Sequence, residues 1–456
     1  MPNYIFVSNR PVRPKAKVDQ NITKQGGAAS ASCSQFRNAA AAAACLAFSV
    51  ANAEFAHAQF GDGETLTLSQ ALELAIERSP QAQLLEAQVE RVEGQIDQSL
   101  IKPNPTVGAE LENVLGTGEL SGVDAAELTV GVSQLLERRE KREKRAEAAE
   151  SAKELLKWEY EEALSELRSE VRHAYYEAVL AQERVSLQTE LLDVVTSSQA
   201  EVKRRADAAK ASSIEVSQAR LAVDRQRFEI SRAERELRAA KSTLAALLYE
   251  AAPGNFLLEG SLELEADLPS FEQLAKLLDR SPALARFDAE RKAQEAAVEL
   301  EIAESKGDME VFGGVKYARG GGDDAAFVVG IDIPWQLRNP NAGNIRSARA
   351  GLLAVEAKRR IAKRDALTAL SQSYANLKNA YDEWDALATS LLPSAESTVE
   401  ATQSGYQQGL VTLLSVLEAR AHLFEIRSEM LEAMQRYLEA QTEITRLTAT
   451  TNQQIQ

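Results

Sequence analysis

The chain of 456 residues carries 52 Lys and Arg against 68 Asp and Glu, a formal net charge of −16, with 45% hydrophobic residues and a mean hydropathy of −0.29. That composition excludes a bundle of apolar membrane-spanning helices, and the acidity excludes a general nucleic-acid binder, which needs a basic face. His57, His173 and His422 with Cys33 and Cys45 are too few for an ordinary His/Cys metal centre.

The chain opens as an export signal. Arg10, Arg13, Lys15, Lys17, Lys24 and Arg37 face a single acid, Asp19, before an apolar run over 39–51 broken only by Ser49. Ala51-Asn52-Ala53 then supplies a small-x-small cleavage pattern, so residues 1–53 are predicted to be a signal peptide. The run is too short for a permanent bilayer helix. Ala56-His57-Ala58 offers a second cut, and the long basic stretch leaves a start downstream of Met1 open. Both cysteines fall inside the segment, so the mature chain is expected to have no disulfide. Lipid attachment at Cys45 is disfavoured, because the apolar run continues past it. Loss of six bases and one acid takes the net charge from −16 to −21.

From there the chain is written twice. Thr67-Leu68-Ser69-Gln70-Ala71-Leu72 leads into Glu77-Arg78-Ser79-Pro80; some 202 positions later Ser270-Phe271-Glu272-Gln273-Leu274 leads into Asp279-Arg280-Ser281-Pro282. A helical pattern follows in each half, to about residues 102 and 306. Then come paired alternating segments around Gly-rich turns, 106–112 with 127–135 and 309–319 with 327–335. Long helices are predicted over 139–208 and 344–408, and closing helices over 213–248 and 412–448. The result is two structural repeats, 54–250 and 271–456, joined by a linker at 251–270 containing Pro253, Gly254, Gly260 and Pro269.

Within the long helices Leu164, Val171, Ala178, Val185 and Leu192 recur every seven residues. Counting 199 positions on, the last four meet Leu370, Leu377, Trp384 and Leu391. Leu410, Leu417, Phe424, Leu431 and Leu438 keep the same period at the end of the chain. Sustained heptads predict helices packed side by side as left-handed coils, and some 65–70 residues span about 100 Å. Pro393 is expected to bend its helix rather than end it.

In the alternating segments Val107, Ala109 and Leu111, then Leu128, Val130 and Val132, share one face. Val311, Gly313, Val315 and Tyr317, then Phe327, Val329, Ile331 and Ile333, do the same in the second half. The opposite face is polar or small except at Phe312 and Val328. Each segment has about the length of a tilted β-crossing of a membrane. Two hairpins of this kind suit either a cap on a soluble bundle or a membrane sheet. Four strands cannot close a barrel and open edges cannot sit in lipid, so membrane entry requires several chains. Two chains supply eight strands and three supply twelve.

The duplicated 68–80 segment, the Ala219-Arg220 and Ala419-Arg420 blocks, and Tyr406-Gln407-Gln408-Gly409-Leu410 together resemble the TolC-type outer-membrane efflux family. Ile331-Asp332-Ile333-Pro334 running into Arg338-Asn339-Pro340-Asn341-Ala342-Gly343-Asn344-Ile345 is similar to its CzcC-like heavy-metal branch. The resemblance covers most of residues 65–450. It implies a fold that is mainly α with two β-hairpins, the long coiled helices forming a trimeric α-barrel tunnel above a shared twelve-stranded transmembrane β-barrel. It further implies a homotrimer in the Gram-negative outer membrane with a periplasmic extension. Its implied partners are a periplasmic adaptor and an inner-membrane pump of the resistance–nodulation–division class. The expected function is export of heavy-metal cations; organic solutes, or a soluble periplasmic coiled-coil scaffold, are the alternatives.

The turns at 208–213 and 406–412 are then the far tips, which the resemblance implies meet the adaptor. Gly409 matches the family's tip glycine and suits a left-handed C-cap, leaving Leu410 and Val411 as expected exposed contacts. Ala209 and Lys210 hold those places in the first repeat, so the two docking sites are expected to differ. Glu201 and Glu400, 199 apart and about two turns before the tips, are candidate pore-constriction acids, or else solvated outer-face residues. Arg138, Arg139, Lys141, Arg142, Lys144 and Arg145 crowd a predicted helix N-terminus, where the dipole disfavours cations. Headgroups, or pairing with Glu137, Glu140 and Glu143, would offset that. Tyr317, Phe327 and Trp335 are candidate interfacial aromatics. No P-loop, G-x-S-x-G or H-E-x-x-H occurs, so neither an enzyme, a cofactor nor a fixed metal-ligand set is expected.

Overall fold

The computed structural model describes residues 65–449, except 115, 121–122, 124, 251–255, 260–263, 265–268, 320–321, 323 and 335–340. The export segment, both cysteines, much of the 251–270 linker and Trp335 lie outside the described residues. Every element below lies within Gln59–Gln456.

The first repeat runs β1 (Thr65–Leu66), α1 (Leu68–Arg78), α2 (Gln81–Leu100), β2 (Thr106–Glu112), β3 (Glu127–Leu136), α3 (Arg139–Asp207) and α4 (Ser213–Leu247). The second runs β4 (Leu257–Leu258), α5 (Phe271–Leu277), α6 (Pro282–Glu304), β5 (Met309–Ala318), β6 (Asp324–Asp332), α7 (Ala342–Ala386), α8 (Leu392–Gln407) and α9 (Leu413–Thr448). Local chemistry sets the starts. Thr67 with Gln70, Ser270 with Gln273 and Ser212 with Glu215 form reciprocal capping boxes. Pro282 opens α6 at a position where its missing N–H is no loss.

The predicted elements appear with two departures. The last strand ends at Asp332, not 335, and begins at Asp324, because β6 pairs residue for residue with β5 from Ala318↔Asp324 to Glu310↔Asp332. The second long helix is also interrupted. A π turn over Leu387–Leu391 separates α7 from α8, with the Leu392 N–H bonded back to the Leu387 carbonyl. Pro393 lacks an N–H and crowds the carbonyl four residues back, so one widened turn absorbs it and the helix continues. A π turn inserts one residue. The repeats are offset by 199 upstream of it, but the N-caps Ser212 and Thr412 beyond it are 200 apart.

α3 has 69 residues, about 104 Å at 1.5 Å per residue. It packs against α2, α4, α6 and α9, while α9 packs against α7 and α8. Two cores lie where the repeats meet. One gathers Leu180, Leu370, Leu377, Tyr437 and Leu438, and the other Leu66, Val171, Tyr175, Val179, Leu244 and Phe256. In the second, β1 and β4 pair in parallel. The Tyr175 hydroxyl donates to the Leu66 carbonyl at 2.9 Å, and burial pushes its pKa up to about 12.

Candidate functional site

The four long strands form one antiparallel sheet in the order β2-β3-β5-β6. The register joins the two hairpins through β3 and β5, with Val130↔Val315 and Leu128↔Tyr317. It also puts every alternating apolar residue on the same face. Phe327, Val329 and Val107 are 89%, 82% and 75% exposed there. A continuous bare face of this kind is not the covered side of a soluble cap; it is built for an apolar surround. Among the described residues no helix is long and apolar enough to cross a membrane. The sheet is therefore the membrane element, and β2 and β6 are its unpaired edges.

The other face is charged with one sign. Glu112, Glu127 and Asp324 fall on one rung, Glu110 on the next, and Glu310 directly opposite Asp332 at the far end. Lys316 is the lone base among these strand residues, and it is held by Glu112 at 3.0 Å and by Glu127. Phe312, the exception in the pattern, has a physical explanation. A Cβ on Gly131 would fall 2.5 Å from the Phe312 ring, and one on Gly314 would fall 3.0 Å from it. The ring lies down in a glycine hollow against the wall instead of standing out from it.

Where the sheet meets the helices, the basic run becomes a lock. Lys141 is 5% exposed and reaches Asp308 at 2.7 Å and Glu304 at 3.5 Å. Arg145 pairs with Glu137 and with Glu304 at 3.1 Å, and Lys306 pairs with Glu140 at 2.6 Å. The Lys306 hydrogen bond, then its charge, holds the Glu140 carboxyl below the usual carboxylate range. Glu137 thus pairs with Arg145 as expected and Glu143 with Arg139 at 2.7 Å, whereas Glu140 finds its partner outside the run; Glu304, Lys306 and Asp308 were missed. They lie some 160 residues away in sequence, and the Lys-Gly-Asp break between helix and strand was the only clue. In the second repeat the described part of the corresponding junction is held by an amide. Asn341, left-handed at φ 58, donates its amide to Glu301 Oε2 at 2.6 Å.

At the tips the two repeats share one geometry. Ala209 (φ 55) and Gly409 (φ 78) are both left-handed, and Lys210 and Leu410 donate their N–H back to Arg205 and Gly405 at 2.7 and 2.8 Å. Leu410 is 75% exposed, with Ile214 and Leu414 bare beside the turns. Val411 departs from expectation: it is half-buried against Gly405. Beneath the turns Val202, Ala219, Tyr406, Leu413 and Val416 form a small core, and the Arg205 guanidinium stacks on the Tyr406 ring at 4.2 Å.

Glu201 and Glu400 do not occupy equivalent places. Beyond the π turn the offset is 200, so the two differ by one residue, about 100° around the helix. Glu201 is paired with Arg204 at 2.8 Å, whereas Glu400 is exposed and bonded to no neighbour. Among the described residues no three His, Cys, Asp or Glu side chains converge closely enough to hold a metal ion.

This architecture of repeated hairpins, a one-sided apolar sheet and long coiled helices is shared by known proteins. The profile of the outer membrane efflux protein family matches residues 71–248 and 274–450, one match per repeat. The chain belongs to the outer membrane efflux protein family. It is 28% identical over 386 residues to the cobalt-zinc-cadmium resistance protein CzcC of Cupriavidus metallidurans, covering 84% of this chain and 90% of that one. Its fold is similar to that of CusC (TM-score 0.66, 18% identity, 85% of this chain and 93% of that one). It is also similar to the outer membrane protein VceC of Vibrio cholerae (TM-score 0.63, 18% identity, 84% and 95%). As an outer membrane efflux protein the chain is a channel of the Gram-negative outer membrane, and the soluble-scaffold alternative falls.

Proposed function

We propose that this outer membrane efflux protein is the exit duct for divalent heavy-metal cations, assembled as a homotrimer and fed by a periplasmic adaptor and an inner-membrane pump. The observation that carries the reading is the one-sided charge of the sheet's inner face. Six carboxylates, Glu110, Glu112, Glu127, Glu310, Asp324 and Asp332, face the single base Lys316. Closed into a barrel, that face gives a lumen whose field draws cations in and turns anions away. Kinship with a cobalt-zinc-cadmium resistance protein agrees in sign. The cations pass as mobile, hydrated cargo, and choice among metals belongs to the partners.

The proposed adaptor contact is the exposed apolar group at the tips, Leu410 with Leu414 and Ile214. Gly409 and Ala209 shape the turns, Lys210 makes the first-repeat site more polar, and Val411 packs inward against Gly405. Of the two acids, Glu400 is the proposed constriction residue, because a base, Arg204, stands beside Glu201 and none stands beside Glu400.

Reversal potential in planar bilayers under a potassium chloride gradient tests the charge argument. Cation selectivity is expected, and Glu310→Gln with Asp332→Asn should reduce it. Anion selectivity in the unaltered protein would refute the reading. A deletion strain should become sensitive to zinc, cobalt or cadmium; sensitivity to dyes and detergents alone would transfer the function to organic solutes.

A further inference from the structure

The core built on β1 and β4 covers one side of α3 and leaves the opposite side open. Val171, Tyr175 and Ala178 are buried in that core. Glu170, His173 and Glu177 stand on the far side, His173 about 200° round the helix from Val171. There α3, α4 and α9 border a cleft of about 580 Å³, lined by Glu170, His173 and Glu177 of α3 together with Glu439 and Thr442 of α9.

Two details set this cleft apart from the rest of the helical surface. The His173 imidazole and the Glu177 carboxylate sit one turn apart, with Nδ1 and Oε2 at 3.9 Å. That is too long for a hydrogen bond, but it is within the span of one cation bound at about 2.0–2.1 Å to each. The second detail is Thr442. Its neighbours Thr445 and Thr448 give their hydroxyls to the carbonyls of Gln441 and Ile444, four residues back. The Thr442 hydroxyl has no partner, although the residue is 4% exposed. A buried hydroxyl left alone is costly unless something comes to it. Thr442 borders both the cleft and an adjoining recess of about 10 Å³, the room of a single water, which His173, Glu177 and Glu439 also line. The charges suit a cation. Among the described residues no Lys or Arg pairs with Glu170, Glu177 or Glu439, whereas Glu443 is taken by Arg446 at 2.6 Å.

We propose that this cleft is a halfway binding site for a divalent cation of the zinc, cobalt or cadmium kind in transit. His173 Nδ1 and Glu177 Oε2 bind the ion directly, and water fills its other positions. One of those waters occupies the recess and satisfies Thr442, while Glu170 and Glu439 balance the charge from the walls. Among the described residues no third carboxylate, imidazole or thiol converges on the pair, which suits a stop that is entered and left readily rather than a resident metal. An imidazole favours such ions over magnesium, which keeps oxygen ligands and sheds water reluctantly. The inference rests on the exit-duct reading. In that reading the side of α3 carrying α1, β1 and β4 is the outside of the wall, since those elements would otherwise fill the lumen, and the open side is the lumen. His173 lies 34 residues from each end of α3, about 51 Å from either, so the stop divides the helical path in two.

Potassium current through the full-length protein in planar bilayers reads the site. Zinc chloride added on the side of the tips should lower the conductance at concentrations where magnesium chloride does not. Thr442→Val, which keeps the shape and loses the hydroxyl, should raise the half-blocking zinc concentration roughly tenfold, and His173→Gln should raise it further. A variant that still carries potassium current is assembled, so its loss of block is not unfolding. His422→Gln is the control, because that imidazole is exposed beside Glu425 outside the cleft, and it should leave the block unchanged. A cation-selective channel that zinc does not block, or blocks equally in the unaltered protein and in both cleft variants, overturns the site and leaves the duct standing. Equal block by magnesium does the same, because an acidic wall would then suffice. An anion-selective channel overturns both.

Discussion

The two long helical limbs began as near copies and end as different devices. α3 runs from the sheet to the tip without interruption, whereas the second limb is broken once, at Leu387–Leu391, by a turn that holds one extra residue. That residue changes the offset between the repeats from 199 to 200; because the widened turn absorbs it, positions 200 apart beyond it are equivalent, while positions 199 apart differ by about 100° around the helix. Glu400 and Glu201 therefore look alike in the sequence and stand on different faces. The same contrast recurs at the ends. The first limb is anchored at the sheet by buried charge and tipped with a strained alanine. The second is anchored by a neutral amide and tipped with glycine.

The most severe way to break the contrast is to add a residue beyond the one that the widened turn absorbs. Inserting an alanine after Gln403 should turn Tyr406, 8% exposed, out of its core, costing on the order of 3–5 kcal/mol. Limited proteolysis should then cut first at the tip turns, and an unchanged cleavage pattern would deny the tip core its role in register. Next are the anchors. Lys141→Ala takes the ion-pair partner from Asp308 and leaves Glu304 to Arg145 alone, at an expected cost of about 3 kcal/mol. Asn341→Ala loses the amide's bonds to Glu301 and from Asn344 and keeps the left-handed strain, for about 1–2 kcal/mol. Thermal unfolding in detergent should rank them in that order, and the reverse order would mean that the charged lock is not the stronger anchor. At the tips, Gly409→Ala should destabilise by about 1 kcal/mol and Ala209→Gly should stabilise by about 0.5 kcal/mol, since glycine removes the left-handed penalty but adds unfolded-chain freedom. The smallest effect is in acid. Glu140 has its pKa depressed by Lys306, so its contribution is present above the ordinary value of 4.5 and fades as pH falls through the lowered one. Melting curves of Lys306→Gln should lose that slope between pH 4.5 and lower values.

Much of this was legible because it is local. Capping boxes at Thr67 and Ser270, the alternation of the strands and the heptads of the long helices depend on neighbours within a turn or two. Their boundaries were accordingly found to within a few residues. The misplacement of β6 at 324–332 and the unseen π turn have a different origin. Strand ends are set by the partner strand, here the pairing with β5, and a helix defect is set by how one proline is accommodated among packed neighbours. The inequivalence of Glu201 and Glu400 has the same origin. A count of residues carries the helical phase only while the helix is regular.

By itself, then, the sequence determined the repeat, the element types, the apolar and polar faces of the sheet, and an acidic chain with a basic run beside it. Each of these follows from periodicity or composition, which act over short distances along the chain. The tertiary structure alone decided that Lys141 meets Asp308, that Phe312 lies in a hollow made by Gly131 and Gly314, that Arg420 of α9 reaches Ser198 of α3 while Arg220 pairs within its own helix, and that one inserted residue separates Glu400 from Glu201. Those facts join residues far apart in sequence, and no local pattern encodes a contact that exists only once two distant elements have packed.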